Sequence, residues 1–171
     1  LQFWREKGAY KYSVESIRGM YNAGKKLDYN MFWGHQSSAD GSITKSCFSQ
    51  WWMEEFRYED DIYCCMEQFM MAQKAEVFGD TEIREEIMNC RNPKEIKALG
   101  RKVRGFDESV WNKVKYSIVL NGNYRKFTQN PKLREFLLST GKNILVEASP
   151  YDAIWGIRMS ANNENAQNPM K

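Results

Sequence analysis

The stretch from Tyr63 to Ala75 restricts the fold more than any other part of this chain. It is rich in Met, Ala, Gln, Lys and Glu, and neither Gly nor Pro interrupts it before Gly79. That composition predicts a helix. Met66, Phe69, Met70, Met71, Ala72 and Phe78 leave little of its circumference polar, which predicts burial on most sides. Two charged residues interrupt the apolar run, Glu67 and Lys74. Seven residues make nearly two turns, so both side chains leave the same face, with Cα atoms roughly 10 Å apart. A surface helix with two solvated charges has the same periodicity. The apolar surroundings argue instead for a carboxylate and an ammonium that are paired or put to use, because burying either one alone is costly.

A chain of 171 residues makes one domain with a substantial core. Aromatics at 14% exceed what a disordered chain carries. No apolar run reaches the length of a membrane span, and Leu1 to Lys7 lacks the apolar centre of a signal peptide. Cys47, Cys64, Cys65 and Cys90 form no C-x-x-C pair, and His35 is the single histidine. No zinc pattern is present, and reduced cysteines in a cytoplasmic protein are expected. No metal or cofactor is expected. The net charge of +3 is too small to argue for nucleic acid alone, although Arg91 to Arg134 is locally basic and can face phosphates or simply solvent.

Element starts and stops are readable along the chain. Ser13 opens a helix toward Lys26, and Tyr29 to Trp33 is strand-like before Gly34. Gln36 to Ser46 is a polar loop. Phe56 to Cys64 predicts a hairpin turning at Glu59-Asp60-Asp61. Cys65 stands at the cap position of the central helix, where a thiol is a poor acceptor, and Gly79 suits its end. Asp80, Asn92-Pro93, Asp107 and Asn130-Pro131 mark four more helix starts. Asn143 to Ala148 is the clearest strand, and Ser149-Pro150-Tyr151-Asp152 leaves it as a loop. The polar stretch from Ala161 to Lys171 lacks a periodic apolar pattern.

These residues suit a nucleoside-like ligand. Trp33-Gly34, Ser49, Gln50, Trp51 and Trp155-Gly156 offer aromatic faces and close backbone; Glu67 and Asp152 offer carboxylates; Arg101 and Lys102 offer phosphate contacts. Neither a phosphate loop nor a dinucleotide fingerprint is present. Two carboxyl groups fit cleavage of an N-glycosidic bond, one as acid and one stabilising positive charge on the ribose. A desolvated Lys74 can attack C1 of an opened ribose; an ion pair with Glu67 or Asp152 is the structural alternative.

The pattern Tyr63-x-x-x-Glu67-Gln68-Phe69-x-Met71-Ala72-x-Lys74-Ala75 resembles the signature helix of the NADAR, or YbiA-like, superfamily. Further matches keep the family's order: Phe32 to His35, Ser49 to Trp52, Leu99 to Val103, Lys126 to Asn130, Leu137 to Gly141, and Val146 to Ile157. The resemblance implies a single helix-rich α+β domain over residues 31–171, preceded by a helical extension over 1–30 and lacking the family's C-terminal end. It implies Glu67 and Lys74 as the catalytic centre, with Asp152 and Trp155 near the sugar or base. It further implies an N-glycosidase removing ADP-ribose from guanine, with ADP-ribose or ADP-ribosylated guanosine, free or within DNA or RNA, as the partner molecule. Ribosylamino pyrimidine phosphates of riboflavin synthesis are the alternative substrates, and a non-catalytic ADP-ribose or NAD sensor is the alternative class.

Overall fold

The computed structural model describes residues 13–36 and 38–171. The first twelve residues of the expected N-terminal extension, and Ser37 of the polar loop, lie outside the described residues. The described chain is an α+β domain with six α-helices and two small two-stranded sheets. In order they are α1 (Val14–Asn22), β1 (Tyr29–Phe32), a 3-10 turn (Lys45–Phe48), β2 (Met53–Tyr58), β3 (Asp61–Cys65), α2 (Met66–Val77), α3 (Thr81–Asn89), α4 (Pro93–Gly100), α5 (Glu108–Gln129), α6 (Pro131–Ser139) and β4 (Ile144–Glu147).

Helix α2 is the centre. Met66, Phe69, Ala72 and Ala75 are fully buried, and Met70 and Met71 nearly so. Ile87 of α3, Ile96 of α4, Ile118 of α5 and the hairpin residues Phe56 and Tyr63 surround it. At roughly 1.5–3 kcal/mol for each large apolar side chain removed from water, Met66, Phe69, Met70 and Met71 outweigh the cost of drawing Glu67 and Gln68 inside with them. Cys65 makes no side-chain cap bond, as its thiol predicts. The start of α2 is satisfied from elsewhere: the Gln50 carbonyl accepts the Glu67 N–H at 2.9 Å. The Gln68 side chain accepts the Cys64 N–H at 2.7 Å and donates to the Ile87 and Cys90 carbonyls. At the far end Gly79 holds φ +69°, the left-handed conformation in which a side chain is strained.

Close packing on α2 depends on glycine twice. A Cβ on Gly100 would stand 2.0 Å from Met71 Sδ; one on Gly122 would stand 2.5 Å from Phe69 Cδ1 and 2.6 Å from Met66 Sδ. Gly122→Ala gains about 1 kcal/mol of helix propensity and loses about 1–3 kcal/mol to overpacking, because the Phe69 ring and Met66 are both fully buried. The expected result is net destabilisation, read as a lower urea midpoint with unchanged slope.

The hairpin turns at Glu59-Asp60, with Glu59 at φ 53°. Asp61 is the first residue of β3, paired with Tyr58; its carboxylate accepts from Arg84, which holds it at the strand end. Asp80, Asn92 and Asp107 cap their helices through their side chains. Asn130 does not. It lies between α5 and α6, and its amide donates to the Lys126 and Glu55 carbonyls, closing the end of the earlier helix.

β1 and β4 pair in parallel from Tyr29↔Ile144 to Phe32↔Glu147. The boundary expected between residues 30 and 31 falls inside β1. This pairing sets Trp33-Gly34, which follow β1, beside the loop that follows β4. Ala166 packs on Met31 and Ala148 beneath the pair.

Candidate active site

A cavity of about 1070 Å³ opens between the α2–α4–α5 face and the loops after β1 and β4. Its size matches the upper end of small-molecule sites, about 300–1,000 Å³. Trp33, Gly34, Ser49, Gln50, Trp51, Glu67, Lys74, Arg101, Asp152 and Trp155 all line it. Lys102 and Gly156 do not. Arg101 is the residue that ends α4 and lines the cavity, whereas Lys102 follows it beyond the helix and does not. Gly156 has a packing role: a Cβ there would meet the Asp152 carbonyl and Ser149 Cβ at 3.0 Å and the Glu147 carbonyl at 3.2 Å.

Glu67 is 3% exposed, and its Oε1 has no hydrogen-bond partner among the described residues. Burial pushes its pKa up to about 7. Lys97 and a hydrogen bond from the Trp51 side chain pull against this, while Asp152 and Glu147 push with it. Glu67 therefore carries a proton for part of the time near neutrality, as a general acid requires.

Lys74 lies on the same face of α2 as Glu67 and lines the same cavity, as the seven-residue spacing predicts. Its head does not reach back to Glu67. Nζ donates to the Gly100 carbonyl at 2.8 Å and stands 4.2 Å from the centre of the Phe106 ring. Among the described residues it forms no ion pair with Glu67 or Asp152. Met71 fills the space that a side chain on Gly100 would need. Burial, then the Arg101 charge, lowers the Lys74 pKa, which favours the neutral amine a nucleophile needs.

Asp152 Oδ1 accepts the backbone N–H groups of Ile154 at 2.7 Å and Trp155 at 2.9 Å. Burial raises its pKa, but these bonds and the Lys97 charge prevail and hold it below the usual carboxylate range. The site therefore contains one carboxyl biased toward its acid form and one held ionised, the division of labour of a glycosidic cleft.

Sequence reasoning overlooked two residues here. Glu147, the last residue of β4, lines the cavity; burial and then Asp152 raise its pKa. Lys97 lines it too, its Nζ 5.8 Å from the Trp51 ring centre, and acts on Glu67, Glu147 and Asp152 alike. The available signal was position: Glu147 precedes the loop that carries Asp152, and Lys97 is one turn before Arg101. Phe106, Trp111 and Tyr151 also line the cavity. Trp33 and Tyr151 form its outer rim, 6.2 Å apart between ring centres and 57% and 86% exposed. Trp52, neighbour of Trp51, is buried instead, in the cluster with Phe48 and Phe127.

The basic stretch is divided among several tasks. Lys97, Arg101 and Lys115 face the cavity. Arg91 pairs with Glu55 at 2.6 Å and Arg104 with Asp80 at 2.5 Å, and Lys126 is fully buried.

Several known proteins are similar to this chain. An N-glycosidase of Acanthamoeba polyphaga mimivirus is 47% identical over 119 residues, covering 67% of this chain and 70% of that protein. A chloroplastic riboflavin biosynthesis protein PYRR of Zea mays is 38% identical over 79 residues, 44% of this chain but 13% of its own length. The NMR structure of the E. coli protein YbiA superposes with a TM-score of 0.63 at 27% identity, covering 82% of this chain and 79% of that one. The NADAR domain model matches residues 31–171, which include β4, all of α2 to α6 and every residue of the cavity described above: the chain belongs to the NADAR domain family.

Proposed function

We propose that this protein is an N-glycosidase that hydrolyses the bond between a base and the ribose of a nucleotide, with ADP-ribosylated guanine as its substrate. The observation that carries the reading is Glu67, a buried carboxyl with an unpartnered oxygen and a pKa pushed up to about 7, set at a cavity large enough for a dinucleotide-sized ligand. Glu67 donates its proton to the departing base or to the ring oxygen. Asp152, held ionised, stabilises the positive charge that develops at C1 of the ribose. If protonation of the ring oxygen opens the ribose, neutral Lys74 adds to C1, the base departs with a proton from the resulting aminal to leave a Schiff base, and water hydrolyses that imine to free ribose and amine. Lys97, Arg101 and Lys115 supply positive charge for a diphosphate. The mimivirus relative carries the name N-glycosidase, in keeping with this chemistry.

The maize relative's name favours a second reading, in which a ribosylamino pyrimidine phosphate of riboflavin synthesis is cleaved. Mass spectrometry of the products distinguishes the two. The protein is mixed with ADP-ribosylated guanosine, alone and within a short oligonucleotide, and in parallel with the pyrimidine substrate. Released ADP-ribose is the expected result. Ribose phosphate released from the pyrimidine alone would replace the first reading with the second. Tight ADP-ribose binding without any turnover would make the protein a sensor.

A further inference from the structure

Lys126 is a lysine without a carboxylate. It is 0% exposed, on α5, and among the described residues it forms no ion pair. Its Nζ donates instead to two backbone carbonyls, Cys47 at 2.6 Å and Ser49 at 3.0 Å. A buried ammonium is costly, and two neutral acceptors offset that cost only in part; burial lowers its pKa to about 8. Simple packing would be served better by Met or Leu at this position.

What the two carbonyls belong to is informative. Cys47 and Ser49 end the 3-10 turn whose continuation is Ser49-Gln50-Trp51, one wall of the cavity. Within that wall, Ser49 Oγ accepts the Trp51 N–H at 3.1 Å. The Gln50 carbonyl accepts the Glu67 N–H at 2.9 Å, and the Trp51 side chain beside Glu67 favours its ionised form. Gln50 follows directly on Ser49, which Lys126 holds, and Trp51 is the residue after that. Core side chains bracket the wall, Phe48 before it and Trp52 after it, while Trp51 is only half-buried and the Cys47 and Ser49 carbonyls are held by Lys126.

We infer that Lys126 is a positioning residue for Glu67: by clamping the Cys47 and Ser49 carbonyls from the far side, it fixes the Ser49–Trp51 wall in the register that orients the acid. This rests on the reading of Glu67 as the acid, but the placement itself can be tested without activity. The variant is Lys126→Met, which keeps the stem and removes the donor, and the readout is hydrogen exchange by NMR at individual N–H groups. Loss of a charged hydrogen bond of this kind corresponds to about tenfold or greater change in a local opening equilibrium. The expected result is exchange at least about tenfold faster at the Trp51 indole and the Glu67 amide, with Ile118 and Leu133 unchanged relative to one another and to the wild type.

A purely structural lysine would accelerate all four in step, and that outcome, or no change at Trp51 and Glu67, overturns the inference. Should Lys126→Met not fold, Lys126→Gln retains one short donor and is measured in the same way; the same selective loss at Trp51 and Glu67 is expected, and a uniform loss overturns it. Where turnover is measurable, the clamp predicts a fall in kcat with KM little changed. If the wild type turns over neither substrate, the exchange result stands by itself, so failure of the N-glycosidase reading is recognised separately.

Discussion

Replacing Glu67 with Gln is expected to lower turnover by about 10²–10⁴-fold while making the protein more stable above neutral pH. Both effects come from the same burial. In the unfolded chain the carboxyl titrates at its ordinary value of 4.5; in the folded protein it titrates at about 7. Below pH 4.5 both states hold the proton, and Glu67 imposes no penalty on the fold. As pH rises from 4.5 to 7 the unfolded chain loses its proton first, so stability falls, and the loss is complete once pH passes the folded value. The gap corresponds to about 3 kcal/mol. Glu67→Gln removes it. Urea midpoints of the two proteins should coincide near pH 4 and separate to about 3 kcal/mol in favour of the variant at pH 8. The wild-type kcat/KM should fall as pH rises through about 7, where the acid form disappears. A variant equally stable at pH 4 and pH 8, relative to wild type, would show that the carboxyl is not held in its acid form. This is the exchange of stability for activity found at many catalytic sites.

Lys74→Met is expected to abolish turnover, by roughly 10³-fold or more if the amine is the nucleophile, with ADP-ribose affinity kept within about threefold. The Met side chain preserves the stem against Phe106 and removes only the bond to the Gly100 carbonyl, so the cavity keeps its shape. Calorimetry gives the affinity, and single-turnover kinetics gives the rate. Sodium borohydride added during turnover should trap a substrate adduct on the peptide containing Lys74. Loss of binding and turnover in equal proportion would assign Lys74 to ligand binding. An active Met variant would leave Glu67 and Asp152 as the sole reacting groups.

Local chemistry made much of this structure readable. Asp80, Asn92 and Asp107 act as caps because a short polar side chain before a helix has few alternatives. The burial of α2 followed from having too few polar residues to form a wet face. Glu67 and Lys74 meet one cavity because helical spacing fixes their direction. Properties set by distant partners were less accessible. Nothing near Lys74 in sequence identifies the Gly100 carbonyl as its acceptor, 26 residues on. Lys126 reads as one more surface cation on a long helix until α5 is seen to pack against the 3-10 turn. Asn130 could cap either of two helices, and the choice depends on β2. Arg101 and Lys102 are chemically alike, and only their positions at the end of α4 separate them. Glu147 enters the site because β4 lies beside β1, a pairing between segments that local patterns do not connect.

That parallel pairing divides the cavity into parts of unequal strength. Its floor is α2, enclosed on several sides by other elements. Its rim follows two four-residue strands that pair with each other, joined among the described residues only by a single bridge from Glu147 to Gly156, with a small apolar cluster beneath. Two strands alone make a marginal sheet. The free energy needed to part them is a fraction of that needed to melt the core, so the rim with Trp33 and Tyr151 can separate while Glu67 and Lys74 stay in place. Glu67 and Lys74 are thus mounted on the enclosed central helix, whereas Asp152, on the loop after β4, travels with the rim.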